Sequence, residues 1–92
     1  MKQVSFVATA SAAQTLPENA VEVESILVVA MAAAPAVFSA YTVSSAAPAG
    51  SVAQFAGTPA APSTTVTFPA ALVATDLVIV NYKEVGSLPS NF

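Results

Sequence analysis

The segment TTVTFPAALVATDLVIVNYK, residues Thr64 to Lys83, decides the fold class of this chain. Val66 and Phe68 alternate with threonines, which predicts a strand with one apolar face and one hydroxyl face. Pro69 cannot donate to a ladder and therefore ends that strand. After a turn, residues 76–83 alternate again, with both faces apolar in the middle and polar at the ends. Such a strand is typical of the centre of a sheet, or of a strand whose outer face is covered by another subunit.

The same period of two recurs along the chain, between segments rich in proline and glycine. We predict a turn-rich link at Gln14–Asn19 and a turn at Met31–Ala36. The fold class expected is all-β, a small antiparallel β-sandwich or jelly-roll-like barrel of about six short strands. Residues 1–92 then form a single β domain with an irregular C-terminal tail at 86–92. The predicted strands are Gln3–Ala10, Val21–Met31, Val37–Ser44, Val52–Phe55, Thr64–Phe68 and Asp76–Lys83.

Charge is scarce in this sequence. Only 8% of the residues are charged, against about 25% in a typical soluble domain, and none lies between Glu24 and Asp76. A surface with so few charges repels its neighbours weakly, so we expect the chain to associate with copies of itself. The acidic balance, with Lys2 and Lys83 as the only cations, argues against a nucleic-acid partner.

The residue types present exclude most catalytic chemistry. Histidine and cysteine are absent, which excludes Ser–His and Cys–His nucleophiles and zinc held by imidazole or thiolate. We therefore expect no enzymatic activity and no cofactor. Glu22 and Glu24 share one face of a strand and, with Asp76, could hold calcium through oxygen ligands. The alternatives are that the two glutamates form a solvated face and that Asp76 caps a turn. A calcium- or carbohydrate-binding β module remains an open alternative.

A second alternative places a helix at residues 26–43. This run, ILVVAMAAAPAVFSAYTV, is long enough to span a bilayer as a helix, as in a small membrane-embedded coat or pilus-like subunit. Pro35 lies in its middle and no Lys or Arg flanks it closely, which argues against a membrane partner.

Two aromatic residues are candidates for an interface. Phe55 lies beside a Gly/Pro loop and Phe92 ends the polar tail. Apolar rings at such positions often anchor in the pocket of a neighbouring subunit. The alternative is that each ring folds back on its own domain.

The segment Thr64–Lys83 also resembles segments of small β-sandwich virion proteins of tailed bacteriophages, of the head-decoration (cement) or fibre-knob type. The resemblance lies in the valine–threonine alternation, the Pro-Ala step, the Thr-Asp pair and the valine-rich strand. It implies a structural protein that binds a capsid or fibre protein as an oligomer, in a virion or other extracellular assembly, and that has no active site. No functional residue is transferred by it.

Overall fold

The computed structural model describes residues 2–85 as six β-strands without a helix. The fold is therefore all-β, as predicted. The strands occur where β-branched and aromatic residues alternate with small or polar ones, and the connections between them contain most of the prolines. The strands are β1 (Lys2–Val7), β2 (Ala13–Ala30), β3 (Val37–Ser44), β4 (Val52–Gln54), β5 (Ser63–Thr67) and β6 (Leu77–Glu84).

The strands form one sheet in the order β1-β6-β2-β3-β4-β5, and β5 also pairs with β2. This second pairing closes a small barrel from β2, β3, β4 and β5, while β6 and β1 extend the sheet beyond it. β6 thus lies between β1 and β2, which confirms the prediction that residues 76–83 form a central strand.

β2 is the strand that serves both parts of the fold. Its first half pairs with β5 and its second half with β6 and β3. Eighteen residues at about 3.3 Å each would measure about 59 Å if straight, but the longest dimension of the molecule is 45 Å. The strand therefore bends, and its register shifts at three places between Thr15 and Ser25 mark the irregularities that allow the bend.

The prediction of a turn at Gln14–Asn19 is wrong, because these residues lie inside β2. Pro17 falls where the pairing with β5 is interrupted, between Thr15 and Ala20. A proline at such an irregularity deprives the ladder of no hydrogen bond. Consequently β2 is not a short strand, contrary to the expectation of six short ones.

The pairing of β3 with β4 is parallel, so the expectation of a wholly antiparallel sheet is also wrong. The segment between the two strands runs antiparallel to β3 and then reverses direction in a turn from Ala49 to Val52. Two backbone hydrogen bonds, of 2.9 and 3.2 Å, join Ala49 and Val52. Gly50 has a φ of 59° in this turn, and no other residue within 2–85 has positive φ. This is the pattern of a type II′ turn, in which glycine avoids the strain of the left-handed region.

The core lies on the inner face of the sheet and continues into the interior of the closed barrel. Val66 and Phe68 are 1% exposed, as their predicted apolar face required, and the ring of Phe68 meets Tyr41 edge to face at a centroid distance of 4.9 Å. Tyr82, Val78 and Val80 of β6 are also fully buried. The inner face of β6 thus belongs to the core, and its outer face remains available.

Candidate association surface

An apolar row crosses the outer face of four adjacent strands. Val7 of β1 lies opposite Leu77 of β6, Leu77 lies opposite Val29 of β2, and Val29 lies opposite Phe38 of β3. Residues directly opposite each other in a sheet point to the same face. We call Val7, Leu77, Val29 and Phe38 the apolar row.

The side chains of the apolar row differ strongly in their exposure. Val7 and Phe38 at its ends are 64% and 66% exposed, whereas Val29 between them is 4% exposed. Val29 does not belong to the main core cluster; it lies on the opposite face of the sheet, between Leu77 and Phe38. The row therefore forms a small apolar cluster of its own, in which Val29 is covered by its neighbours and the two end residues are exposed.

The apolar and charged side chains of the described residues are segregated along the strands. Of the six exposed large apolar side chains among residues 2–85, all but Val85 lie at the end of the molecule where β1 ends and β6 begins. We call this the apolar end; its exposed residues are Val7, Met31, Val37, Phe38 and Val73.

The opposite end holds nearly all of the charge. Of the two lysines and five carboxylates of the chain, all but Asp76 lie near the last residues of β6, where Lys2 pairs with Tyr82 and Glu22 with Lys83. We call this the charged end; its charged residues are Lys2, Glu18, Glu22, Glu24, Lys83 and Glu84.

A hydrogen-bonded cluster joins three strands at the charged end. The Lys2 ammonium donates to the Glu18 carboxylate and, at 3.3 Å, to that of Glu84, while the Tyr82 hydroxyl donates to Glu18 at 2.8 Å. The Lys2 hydrogen bond, followed by that of Tyr82, lowers the pKa of Glu18. Burial, followed by the bond to Glu18, raises the pKa of Tyr82. These groups hydrogen-bond to one another. Lys2 and Glu18 lie largely at the surface, where solvent screens their ion pair, whereas Tyr82 is buried.

A polar row separates the two ends on the outer face. The Gln3 amide donates to Asn81 at 3.2 Å, and the Asn81 amide donates to the Ser25 hydroxyl at 3.0 Å. These hydrogen bonds link side chains of β1, β6 and β2 to one another. They mark the boundary of the apolar surface.

A shallow pocket of about 160 Å³ opens beside β4 and β5, lined by Gln54, Ala56, Ser63, Thr65 and Thr67. It is smaller than the ~300–1,000 Å³ of typical small-molecule sites. Its lining contains hydroxyls and an amide but no titratable group, and the Ser63 hydroxyl already accepts the Thr65 N–H at 3.1 Å. The pocket therefore offers no general base to activate a hydroxyl.

The structure places the two predicted interface aromatics differently. Phe55 is 5% exposed and belongs to the core, so it is not an anchor for a neighbouring subunit and that prediction is corrected. The reason is Gly57, where a Cβ would lie 2.7 Å from an edge atom of the Phe55 ring, so that only glycine leaves the ring room to fold back. Phe92 lies outside the described residues.

The carboxylates proposed for calcium are not brought together. Glu22 and Glu24 are exposed at the charged end. Asp76 lies in the turn immediately before β6, where its carboxylate accepts the Val73 N–H at 3.1 Å. The solvated face and the turn cap are therefore confirmed. Within residues 2–85, no group of three or more metal-ligating side chains is found.

Residues 26–43 form a hairpin of β2 and β3 rather than a helix, so the alternative of a helical membrane segment is wrong. Ile26 pairs with Tyr41 and Ala30 with Val37, and the turn lies between them, as predicted. No helix that could cross a membrane occurs in the described part of the chain.

The candidate association residues that sequence reasoning missed are those of the apolar row. The signal was present in the alternation of each strand. The missing information was the register, which alone places Val7, Leu77, Val29 and Phe38 side by side. None of the protein-family models, curated proteins and solved structures compared with this chain matches it.

Proposed function

We propose that this chain is a structural, non-enzymatic subunit that works by associating with copies of itself. The observation that carries the proposal is the segregation of its surface. Five exposed large apolar side chains gather at an end without exposed charge, and the remaining charges lie at the opposite end. Exposed apolar surface that is concentrated in this way is typical of protein–protein contacts.

The chemistry available in the described residues supports a structural role. The buried polar side chains act within the fold, since Asp76 caps a turn and Gln14 is fully hydrogen-bonded. In the finer description of the architecture we favour the jelly-roll-like barrel over the two-sheet sandwich. The pairing of β2 with β5 supports that choice.

The setting that we propose is a virion, as a capsid-decoration (cement) or fibre subunit, or a similar extracellular assembly, where a larger capsid or fibre protein is a further partner. Its basis is the resemblance of residues 64–83 to tailed-bacteriophage proteins. In such an assembly many weak contacts act together, so a modest surface on each small subunit suffices.

The proposal is tested by the solution mass of the purified chain, measured without detergent by light scattering after size exclusion. We expect masses above the 9.2 kDa of one chain as the concentration rises, and regular shells or filaments by electron microscopy of concentrated samples. A single species of 9.2 kDa at about 1 mM, the concentration at which a contact of about −4 kcal/mol is half formed, would contradict it.

A further inference from the structure

Strand β1 ends the sheet with one unpaired edge. β6 pairs with one side of β1, and no other strand within residues 2–85 pairs with the opposite side. The other end of the sheet is closed, because β5 returns to β2. A strand edge with unpaired N–H and C=O groups is a template on which a further strand can pair.

The ladder between β1 and β6 shows which backbone groups point to the unpaired edge. The Ala8 N–H donates to the Asp76 carbonyl at 2.8 Å, and the same register continues through the whole of β1. Hydrogen-bonded and non-hydrogen-bonded pairs alternate in an antiparallel ladder, so the even-numbered residues of β1 bond to β6. The N–H and C=O groups of Gln3, Ser5 and Val7 therefore point away from β6, to the unpaired edge.

The features that usually block an edge strand are missing from residues 3–7. This segment contains no proline and no charged residue, and its register with β6 runs without a bulge. Prolines, charges and bulges are the common protection of edge strands. Lys2 is the one charged residue of β1, and its ammonium is bound by Glu18 and Glu84, which lie on β2 and β6, on the side away from the edge. The edge is therefore open to strand addition.

We propose, resting on the proposed function, that β1 pairs with β1 of a second copy, as antiparallel strands around a two-fold axis at Ser5. In this register Ser5 lies opposite Ser5 of the second copy, and Gln3 lies opposite Val7. All the outward-pointing groups of these three residues are then joined, in six backbone hydrogen bonds between the copies. A shift by two residues in either direction would move Val7 or Gln3 beyond the end of the opposite strand.

The side chains of β1 fit this register. Val4 lies opposite Phe6 of the second copy, and both side chains are half-buried where they pack against the core. Side chains approach closely in such a non-hydrogen-bonded pair, and an aromatic ring beside a β-branched residue is a favourable cross-strand pair. Lys2 lies opposite Ala8, so the two copies of Lys2 are six positions apart, about 20 Å. Because one strand supplies both members of each pair and no like charges meet, the partner is a second copy of this chain.

The edge contact adds a second surface to the one at the apolar end. It uses the backbone edge of β1 and joins the sheets of two copies into one continuous sheet. A single two-fold surface on each copy would stop assembly at a pair, whereas two different two-fold surfaces connect the copies into an open chain. Pairing along one short strand belongs to the weak class of contacts, which bury less than about 600 Å² per partner, so repetition in the assembly is needed to make it persistent.

Single cysteines test the register, because the chain has no cysteine of its own. Across this contact the Cα atoms of the two Ser5 residues lie about 5.5 Å apart, within reach of a disulfide. The Cα atoms of the two Gln3 residues lie about 14 Å apart, beyond that reach. Ser5→Cys is therefore compared with Gln3→Cys, which is also exposed and on the same face of β1. A mixture of Gln3→Cys and Val7→Cys is the third sample.

Each sample is oxidised mildly at about 0.5 mM, and the covalent pair is followed by non-reducing electrophoresis; far-UV circular dichroism verifies that each variant is folded. We expect Ser5→Cys to link at least about 10-fold faster than Gln3→Cys, and the mixture to link faster than either of its members alone. In the wild type, hydrogen exchange of the Gln3, Ser5 and Val7 amides should slow about 2-fold or more between about 0.02 and 1 mM.

Equal linking rates for Ser5→Cys and Gln3→Cys would overturn the proposal. So would amides of Gln3, Ser5 and Val7 that are already protected in the dilute monomer, because another segment of the same chain would then cover the edge. A wild type that associates while Ser5→Cys links no faster than Gln3→Cys contradicts the edge contact alone. A wild type that stays monomeric contradicts the proposed function as well, so the two failures are distinguishable.

Discussion

The substitution Gln14→Glu tests the organisation of the corner between β1 and β2. Gln14 is 2% exposed and makes four hydrogen bonds. Its carbonyl oxygen accepts the N–H and hydroxyl of Thr9 at 3.0 and 3.3 Å, and its amide donates to the carbonyls of Thr9 and Ser11 at 3.0 and 2.6 Å. The side chain thus holds the loop that returns the chain from β1 into β2.

A glutamate has the same shape but cannot donate when it is ionised. The substitution removes two hydrogen bonds worth about 1 kcal/mol each and sets a buried carboxylate against two carbonyl oxygens, which adds about 1–2 kcal/mol because the exposed loop can relax toward water. We expect a loss of about 3–4 kcal/mol in the free energy of unfolding at pH 7. For a domain of this size, 1 kcal/mol corresponds to about 4–8 °C in Tm.

The loss of stability caused by Gln14→Glu should depend on pH, in a direction that follows from the pKa of the new carboxyl group. Burial raises the pKa of a carboxyl group in the folded state, so the destabilisation is fully present above that raised pKa. Most of it disappears as the pH falls to the unfolded value of about 4.3, because the protonated carboxyl loses its charge and donates one of the two lost hydrogen bonds. Urea unfolding at pH 7 and pH 4 measures the deficit, and Thr15→Glu, at the exposed neighbouring position, is the matched control. An equal deficit for the two variants, or a Gln14→Glu deficit that is unchanged at pH 4, would refute the reasoning.

Three further predictions concern the core and the charged end. Gly57→Ala should cost about 1–3 kcal/mol by overpacking against the Phe55 ring; a Tm equal to that of the wild type would show that the ring relaxes without cost. Val66→Ala should cost about 2–3 kcal/mol in urea unfolding, since Val66 is 1% exposed; the exposed control Thr65→Ala should stay within about 0.5 kcal/mol, and similar losses for both would contradict the assigned strand faces. Because the pKa of Glu18 is lowered in the folded state, its contribution to stability is present above the usual carboxyl range and is lost as the pH falls through its lowered pKa; Glu18→Gln should remove this part of the acid sensitivity, and an unchanged pH profile of Tm would contradict it.

The sequence was informative wherever one strand face had to be apolar. The alternation at Val66 and Phe68 correctly predicted both the strand and its buried side, and Asp76 was correctly read as a turn cap. The alternation also continues through Gln14, Leu16 and Ala20, which are all buried. It was hidden there by turn-forming residues, because a proline is tolerated at a bulge just as it is in a turn.

The association surface could not be predicted because it depends on pairing between distant strands. Nothing local places Val7 beside Leu77, or Leu77 beside Val29; a shift of one residue would turn every side chain to the other face. Phe55 shows that local sequence can also suggest an exposed side chain that the fold buries. Its position near glycine and proline suggested an exposed anchor, but the missing Cβ at Gly57 is what lets the ring turn inward.

The measurement that tests the central claim most directly is a dilution series of ¹⁵N-labelled wild-type chain followed by amide chemical shifts, from about 1 mM to about 0.02 mM, the range in which the expected contact dissociates. The account predicts that the concentration-dependent shifts map to the outer face, at Val7, Leu77, Val29 and Phe38, and that Thr65 and Thr67 of the hydroxyl-lined pocket stay constant. Shifts that are confined to the pocket or to the charged end, or spectra that do not change with concentration, would contradict it.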